Sequence, residues 1–259
     1  MSEIFIYLQY IALGLIQGLT EPLPISSSGH LVIAQHFWGL HVPDLHFEVF
    51  LNGASLVAVF IVYRRDIWDI VKDLRASAKF IFHLVIATLP AVVIGGLFAG
   101  FIGGKLTTLT TVAVALIITG IALWLVRKLS GEKSERDMKL KDALIIGFAQ
   151  AIALAPGISR SGATVVAALG VGLNRETALK FSFFMSIPVG IAALALKLPE
   201  IYSAVTVGGM WGLYTVSFIA ALLSSYFVIK LFINLVLEGK LIYLSAYCIT
   251  VATLVLLFK

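Results

Sequence analysis

Two short segments of this sequence gather the residue types from which a reaction could be built. The first reads Glu21-Pro22-Leu23-Pro24-Ile25-Ser26-Ser27-Ser28-Gly29-His30, and the second Pro156-Gly157-Ile158-Ser159-Arg160-Ser161-Gly162-Ala163-Thr164. Ser27 and His30 are three apart, so in a helix they occupy neighbouring positions of one face. A serine beside a histidine can be activated for attack on phosphorus. Arg160 can clamp phosphoryl oxygens in a bidentate way and stabilise charge that spreads in a transition state. Glu21 can ligate a divalent cation or move a proton. Gln17 lies one turn before it, so this cluster holds one carboxylate, and Mg²⁺ often takes one or two together with substrate phosphates.

Both segments also look like helix starts. Serine is a good N-cap, and the free N–H groups and positive dipole end of the helix that follows attract anions. Two such ends brought together would cradle a phosphate or diphosphate, with six hydroxyls (Ser26, Ser27, Ser28, Ser159, Ser161 and Thr164) as further donors. Each residue has a plainer reading. The serines cap helices in most proteins, His30 could be a satisfied core histidine, and Glu21 could bond loop amides. Arg160 could be a structural partner of Glu21, yet a charge deep in a membrane is by default a functional hypothesis. His36, His41, His46 and His83 show no ligand spacing to one another. Glu48, near the outer end of an apolar span, is an acid that could support the site from behind. GISRSG is not the G-x-S-x-G elbow, which needs a strand-to-helix turn.

The elements that must position these residues are membrane helices. The chain has 259 residues, 60% hydrophobic and 13% charged, with mean hydropathy +1.02; a soluble domain carries about 25% charged residues. Apolar runs of roughly 20 residues, enough to cross a bilayer, predict spans over about 45–63, 80–103, 106–127, 176–198, 207–230 and 240–258. The opening residues lack the basic n-region and cleavage site of a signal peptide and are expected to belong to the mature chain. Fifteen of the nineteen Lys and Arg residues sit in Arg64 to Lys79, Arg127 to Lys141, and the pairs Arg175/Lys180 and Lys230/Lys240. They punctuate apolar spans, the positive-inside pattern, so those segments are expected in the cytoplasm and nucleic-acid binding is not. The single cysteine, Cys248, excludes an internal disulfide and a cysteine metal cluster.

Regions 4–40 and 142–174 are different. Each is an apolar stretch, a break, and a second apolar stretch. The second pair predicts helices of about 14 residues, roughly 21 Å each, too short for a core about 30 Å thick. Re-entrant hairpins fit better, although residues 4–21 alone nearly span. The two regions are also copies. At an offset of 133, Gly14, Gln17, Ile25, Ser26, Ser28, Gly29 and Val32 meet Gly147, Gln150, Ile158, Ser159, Ser161, Gly162 and Val165, and Phe47 and Phe50 fall near Phe181 and Phe184. Each half is then one hairpin plus three spans. Three crossings is odd, so the halves must face opposite ways. The expected fold is an all-α integral membrane domain over 1–259 with two inverted repeats, about 1–128 and 142–259, joined by a cytoplasmic loop at about 128–141. Such folds place a site near the midplane where broken helices meet. The copies differ where chemistry needs them to: Ser27 lies opposite Arg160, Glu21 opposite Leu154, and His30 opposite Ala163.

QGLTEPLPISSSGH (17–30) resembles the first signature of the bacterial undecaprenyl-pyrophosphate phosphatase family, also called bacitracin-resistance proteins, and PGISRSGAT (156–164) resembles its second. The resemblance covers essentially the whole chain. It implies hydrolysis of undecaprenyl pyrophosphate to the monophosphate and phosphate, which recycles the lipid carrier for wall-polymer synthesis. It also implies a divalent cation, Mg²⁺ or Ca²⁺, and a bacterial inner (plasma) membrane location with the site open to the periplasm or outside. Carried over by position, the acidic motif falls on Gln17 and Glu21, the essential histidine on His30, the essential arginine on Arg160 and the serine nucleophile candidate on Ser27. The chain departs from the pattern in having Gln at the first acidic position, a variant the motif accepts, and Pro22 where an aromatic residue is expected. The sequence leaves open whether Ser27, His30 or water attacks, and whether the chain forms a homodimer. Its rival reading is a transporter or flippase for an anionic lipid or small anion, because inverted repeats with broken helices also build carriers.

Overall fold

The computed structural model describes residues 3–39, 45–105, 108–155 and 157–259, without the side chains of 98–105. His41 and Pro156 lie outside the described residues. Eleven helices are described: α1 Glu3–Thr20, α2 Ser27–Trp38, α3 Leu45–Val62, α4 Arg64–Lys72, α5 Leu74–Lys105, α6 Leu109–Val126, α7 Leu140–Ile152, α8 Arg160–Gly170, α9 Arg175–Thr206, α10 Trp211–Leu237 and α11 Leu241–Phe258.

Seven of these are long and apolar enough to cross a membrane: α1, α3, α5, α6, α9, α10 and α11. Six match the spans expected from the sequence. The seventh, α1, is an 18-residue helix about 27 Å long at 1.5 Å per residue, in a segment expected to form one arm of a hairpin. The outer surface fits lipid. Val85, Leu89 and Val92 on α5, Ile118 and Leu125 on α6, and Phe227 and Leu231 on α10 are all exposed. In water so much apolar area would be strongly unfavourable at about 25 cal/mol per Å²; in a bilayer it is the expected exterior of a multi-pass protein, with backbone groups satisfied inside each helix.

Packing is dominated by α1 against α10, α5 against α7, α6 against α11, and α3 against both α9 and α10. Small residues permit the closest of these approaches, as between membrane helices generally. A Cβ on Gly14 of α1 would collide with the Ser217 carbonyl of α10. A Cβ on Gly147 of α7 would come within 2.5 Å of the Ala87 carbonyl oxygen of α5. Aromatic clusters sit beside both seams. Phe47 and Phe50 pack on Tyr214 with ring centres 5.1 and 5.0 Å apart, and Phe181 and Phe184 pack on Phe80 at 5.8 and 5.7 Å.

The loop between α6 and α7 is strapped to the helix bundle. The Lys133 N–H donates to the Gly172 carbonyl and the Asn174 N–H donates to the Lys133 carbonyl. The Lys133 ammonium pairs with Asp142 at 3.1 Å, and Lys180 of α9 bridges Asp66 and Glu135 at 2.9 and 2.8 Å.

Candidate active site

The first break exists because two prolines follow α1. Neither Pro22 nor Pro24 can donate to a helix ladder, and each disfavours helical backbone in the residue before it. The chain turns over 21–25 and restarts at Ser26, whose φ of 65° is left-handed backbone in a non-glycine residue. Such a conformation persists only where its surroundings hold it, at a cost of about 1–3 kcal/mol. Two groups hold it here. The Ser26 hydroxyl accepts the Gly29 N–H at 3.3 Å, and the Ser26 carbonyl accepts His30 Nδ1–H at 2.8 Å. Because a carbonyl only accepts, that bond places the neutral ring's proton on Nδ1, and Nε2 then accepts from the Tyr247 hydroxyl at 2.8 Å.

The second break repeats the cap. Ser159 accepts the Gly162 N–H at 3.2 Å to start α8, after Gly157 with φ of 90°. The breaks touch: Ser161 donates to the Leu23 carbonyl at 2.9 Å and Ser159 to the same oxygen at 3.3 Å. Gly162 sits so close to Pro24 that a Cβ would lie 3.1 Å from the proline ring. Both helix N-termini, α2 and α8, therefore open onto one place.

Glu21 is the centre of that place. Arg160 Nη2 lies 2.5 Å from its Oε1, Ser27 Oγ donates to its Oε2 at 2.5 Å, and Gln17 Nε2 donates to the same oxygen at 3.2 Å. Gln17 also donates to Asn52 Oδ1. The Arg160 and Glu21 side chains keep 30% and 14% of their exposure, so this pair faces open space. The space is a cavity of about 560 Å³. Its polar wall comes from the breaks (Glu21, Ser26, Ser27, Ser28, Ser159, Arg160, Ser161), from Glu48, Asn52 and Ser55 on α3, from Ser182 and Ser186 on α9, and from Gln150 on α7. Its apolar wall includes Ala91, Phe183, Val189 and Ala193.

The expected residues thus divide. Seven of them (Glu21, Ser26, Ser27, Ser28, Ser159, Arg160 and Ser161) line one cavity, and Gln17 bonds the Glu21 carboxylate from one layer beneath. Like Gln17, the remaining two, Thr164 and His30, do not line the cavity. Thr164 is fully buried and its hydroxyl bonds the Arg160 carbonyl at 2.9 Å and the Ser182 hydroxyl at 2.5 Å. His30 turns both ring nitrogens away, to Ser26 and Tyr247. The expected Ser27–His30 hydrogen bond is therefore replaced by a Ser27–Glu21 bond. The physical reason is the turn: it leaves the Ser26 carbonyl at the start of α2 within reach of the imidazole, while Glu21 stands over the Ser27 hydroxyl.

From the sequence Glu48 is expected only as a supporting acid, and Asn52, Ser182, Ser186 and any role for Gln150 beyond the repeat are not expected. A signal was present. Glu48/Asn52 and Ser182/Ser186 are each four apart, so each pair lies on one face of its helix, within an otherwise apolar span where polar residues are expected to face the interior. As oxygen donors, the Glu21 and Glu48 carboxylates with Asn52 suit a hard divalent cation that shares its shell with phosphate. No group of three or more His, Cys, Asp or Glu side chains able to hold a metal occurs among the described residues.

A family model described as "Bacitracin resistance protein BacA" matches residues 10–254. Among curated relatives, "Undecaprenyl-diphosphatase 1" of Bacillus cereus is 45% identical over 269 residues, covering 100% of both chains. "Undecaprenyl-diphosphatase 1" of Halalkalibacterium halodurans is 45% identical over 261 residues, covering 95% of this chain and 94% of its own. "Undecaprenyl-diphosphatase" of Oceanobacillus iheyensis is 44% identical, covering 96% and 95%.

Proposed function

The chain belongs to the bacitracin resistance protein BacA family, and we propose that it hydrolyses undecaprenyl pyrophosphate to undecaprenyl phosphate and inorganic phosphate, returning the lipid carrier to cell-wall synthesis. The observation that carries this reading is the Glu21 cluster: an arginine and a serine on one carboxylate, between two serine-capped helix N-termini, in a cavity with an apolar wall. The N-termini and Arg160 suit the diphosphate. The apolar wall suits the first prenyl units of its tail.

In our reading Arg160 turns from Glu21 onto the phosphoryl oxygens when the diphosphate enters. Ser27 Oγ attacks the terminal phosphorus. The Oγ–P bond forms, the bond from phosphorus to the bridging oxygen breaks, and undecaprenyl phosphate leaves with that oxygen. The serine proton passes to Glu21, 2.5 Å away. Glu21 hands that proton to the departing phosphate oxygen. Water then attacks the phosphoserine and gives a proton to Glu21, the Oγ–P bond breaks, Glu21 returns the proton to Ser27 Oγ, and phosphate leaves. Arg160 and the two helix ends stabilise the charge that builds on the phosphoryl oxygens in both steps. His30 acts here as a positioning residue, fixing the strained Ser26 cap. A divalent cation held by Glu21 and Glu48 would supply further neutralisation of the diphosphate.

We also read the chain as two inverted repeats, each a re-entrant hairpin and three spans, with the site open to the outer face of a bacterial inner membrane. What supports this is the pairing of features across the halves: Gly14 with Gly147 at the tightest helix crossings, the Ser26 and Ser159 caps, and the aromatic clusters on Tyr214 and Phe80.

The test is phosphate release from a polyprenyl pyrophosphate by the purified protein in detergent, with Mg²⁺ or Ca²⁺ and with a chelator. Cation-dependent release that Arg160→Ala abolishes is the expected result. A folded, monodisperse sample that releases none under any condition overturns the hydrolase reading and leaves the carrier reading, for which flux of an anionic lipid is the assay.

A further inference from the structure

Gln150 is a buried polar side chain that the mechanism above does not use. It is 1% exposed, it lines the cavity, and neither its Nε2 nor its Oε1 has a hydrogen-bond partner among the described residues. Buried carboxamides are nearly always paired, because a stripped donor and acceptor are unfavourable in a low-dielectric interior. Its counterpart in the first repeat shows what is missing. Gln17 Nε2 donates to Glu21 and to Asn52. At the position matching Glu21, the second repeat has Leu154, whose side chain offers no acceptor. At the position matching Asn52 it has Ser186, whose hydroxyl is turned back onto the Phe183 carbonyl of its own helix at 2.6 Å. The second half therefore has the glutamine without either partner, and the orphaned amide lines the cavity that Arg160, Ser159 and Ser161 also line.

We propose that Gln150 is a substrate-binding residue, donating from Nε2 to a phosphoryl oxygen of the diphosphate. The proposal rests on the phosphatase reading for its ligand. A phosphoryl oxygen is the acceptor that Leu154 and Ser186 fail to supply, and it arrives only with substrate. The two glutamines then have opposite tasks: Gln17 aligns the Glu21 carboxylate, and Gln150 aligns the group that Glu21 helps to transfer.

The experiment uses the full chain in detergent and the substitution Gln150→Met, which keeps length and approximate volume and removes donor and acceptor together. Two readouts are taken: KM and kcat with a polyprenyl pyrophosphate, and the rise in unfolding temperature produced by inorganic pyrophosphate with Mg²⁺. The expected result is an unfolding temperature without ligand equal to or above that of the unsubstituted protein. The pyrophosphate-induced rise is lost, and KM is at least tenfold higher. A structural role predicts the reverse, a lowered ligand-free unfolding temperature with KM and the pyrophosphate response intact, and that result overturns the proposal; so does a KM within twofold with the response retained. If Gln150→Met does not fold, Gln150→Glu is read in the same way: it presents a second acceptor to the diphosphate, and an unchanged KM again overturns the assignment. Should the unsubstituted protein release no phosphate, the hydrolase reading fails by itself, and the pyrophosphate response still decides whether Gln150 binds a diphosphate.

Discussion

Arg160→Ala separates the structural and chemical roles of the Glu21–Arg160 pair, because the two predict effects of different size. Removing one partner of a fully buried ion pair costs about 3–5 kcal/mol, while exposed pairs contribute about 0–1 kcal/mol. Here Arg160 and Glu21 retain 30% and 14% exposure, and Glu21 keeps its bonds from Ser27 and Gln17. The structural loss should therefore be intermediate, about 2 kcal/mol, which at about 2–4 °C per kcal/mol for a chain of this size lowers Tm by about 4–8 °C. The chemical loss should be larger. An arginine on a transferring phosphoryl group contributes about 10³–10⁵-fold in rate, equivalent to about 4–7 kcal/mol. The measurements are phosphate release per folded molecule and thermal unfolding in detergent, on Arg160→Ala and on Arg160→Ala/Glu21→Gln. Neutralising Glu21 removes the stranded charge, so the double variant should recover most of the lost Tm and none of the activity. A kcat/KM for Arg160→Ala within tenfold of the unsubstituted protein would refute a role for Arg160 in the chemistry. Recovery of activity along with stability in the double variant would refute it equally, because Arg160 would then only neutralise Glu21.

Ser27→Ala should reduce phosphate release by at least 10³-fold with a Tm change of only a few degrees, since the hydroxyl bonds Glu21 at the edge of a cavity; release within tenfold of the unsubstituted protein would exclude the serine as nucleophile in favour of water or His30. His30→Ala should lower both activity and Tm, because the ring holds the left-handed Ser26 cap and Tyr247 together; circular dichroism melts recorded beside the activity assay test this, and a lost activity with an unchanged melt would place His30 in the chemistry itself. Gly14→Val and Gly147→Val should each destabilise the protein severely, because the new side chain meets a carbonyl of the facing helix rather than a movable side chain; yield of monodisperse protein on size exclusion checks both, and normal yield from either would show that its helix pair is less tightly packed. Cys248 is fully buried and points at the Pro24 carbonyl behind the first break, so a membrane-permeant maleimide should label it only after denaturation; rapid labelling of folded protein would mean that this region opens.

The helices were legible before any coordinates because of a single constraint: backbone at membrane depth must satisfy itself, so a run of apolar residues at this hydropathy has one form available. The six expected spans follow from it, and so do the breaks, since Pro22, Pro24 and Gly157 cannot continue a helix without cost. The likeness between regions 4–40 and 142–174 was legible for a related reason. Matching Gly14 with Gly147 and Ser26 with Ser159 requires only that both halves meet the same steric and capping demands.

Partnership was not legible. Three-residue spacing put Ser27 beside His30, but spacing along a helix says nothing of the turn before it, and that turn presents the Ser26 carbonyl to the imidazole and Glu21 to the serine. That Glu21 and Arg160, far apart in the chain, form one ion pair depends on the two breaks meeting through Leu23, Pro24 and Gly162. Glu48, Asn52, Ser182 and Ser186 join the cavity only because α3 and α9 turn those faces inward. Gln150 shows the same limit most sharply. The sequence presents it as the twin of Gln17, and tertiary structure leaves it without a partner among the described residues, because a hydrogen bond depends on what the neighbouring helix offers within about 3 Å and not on the residue's own identity.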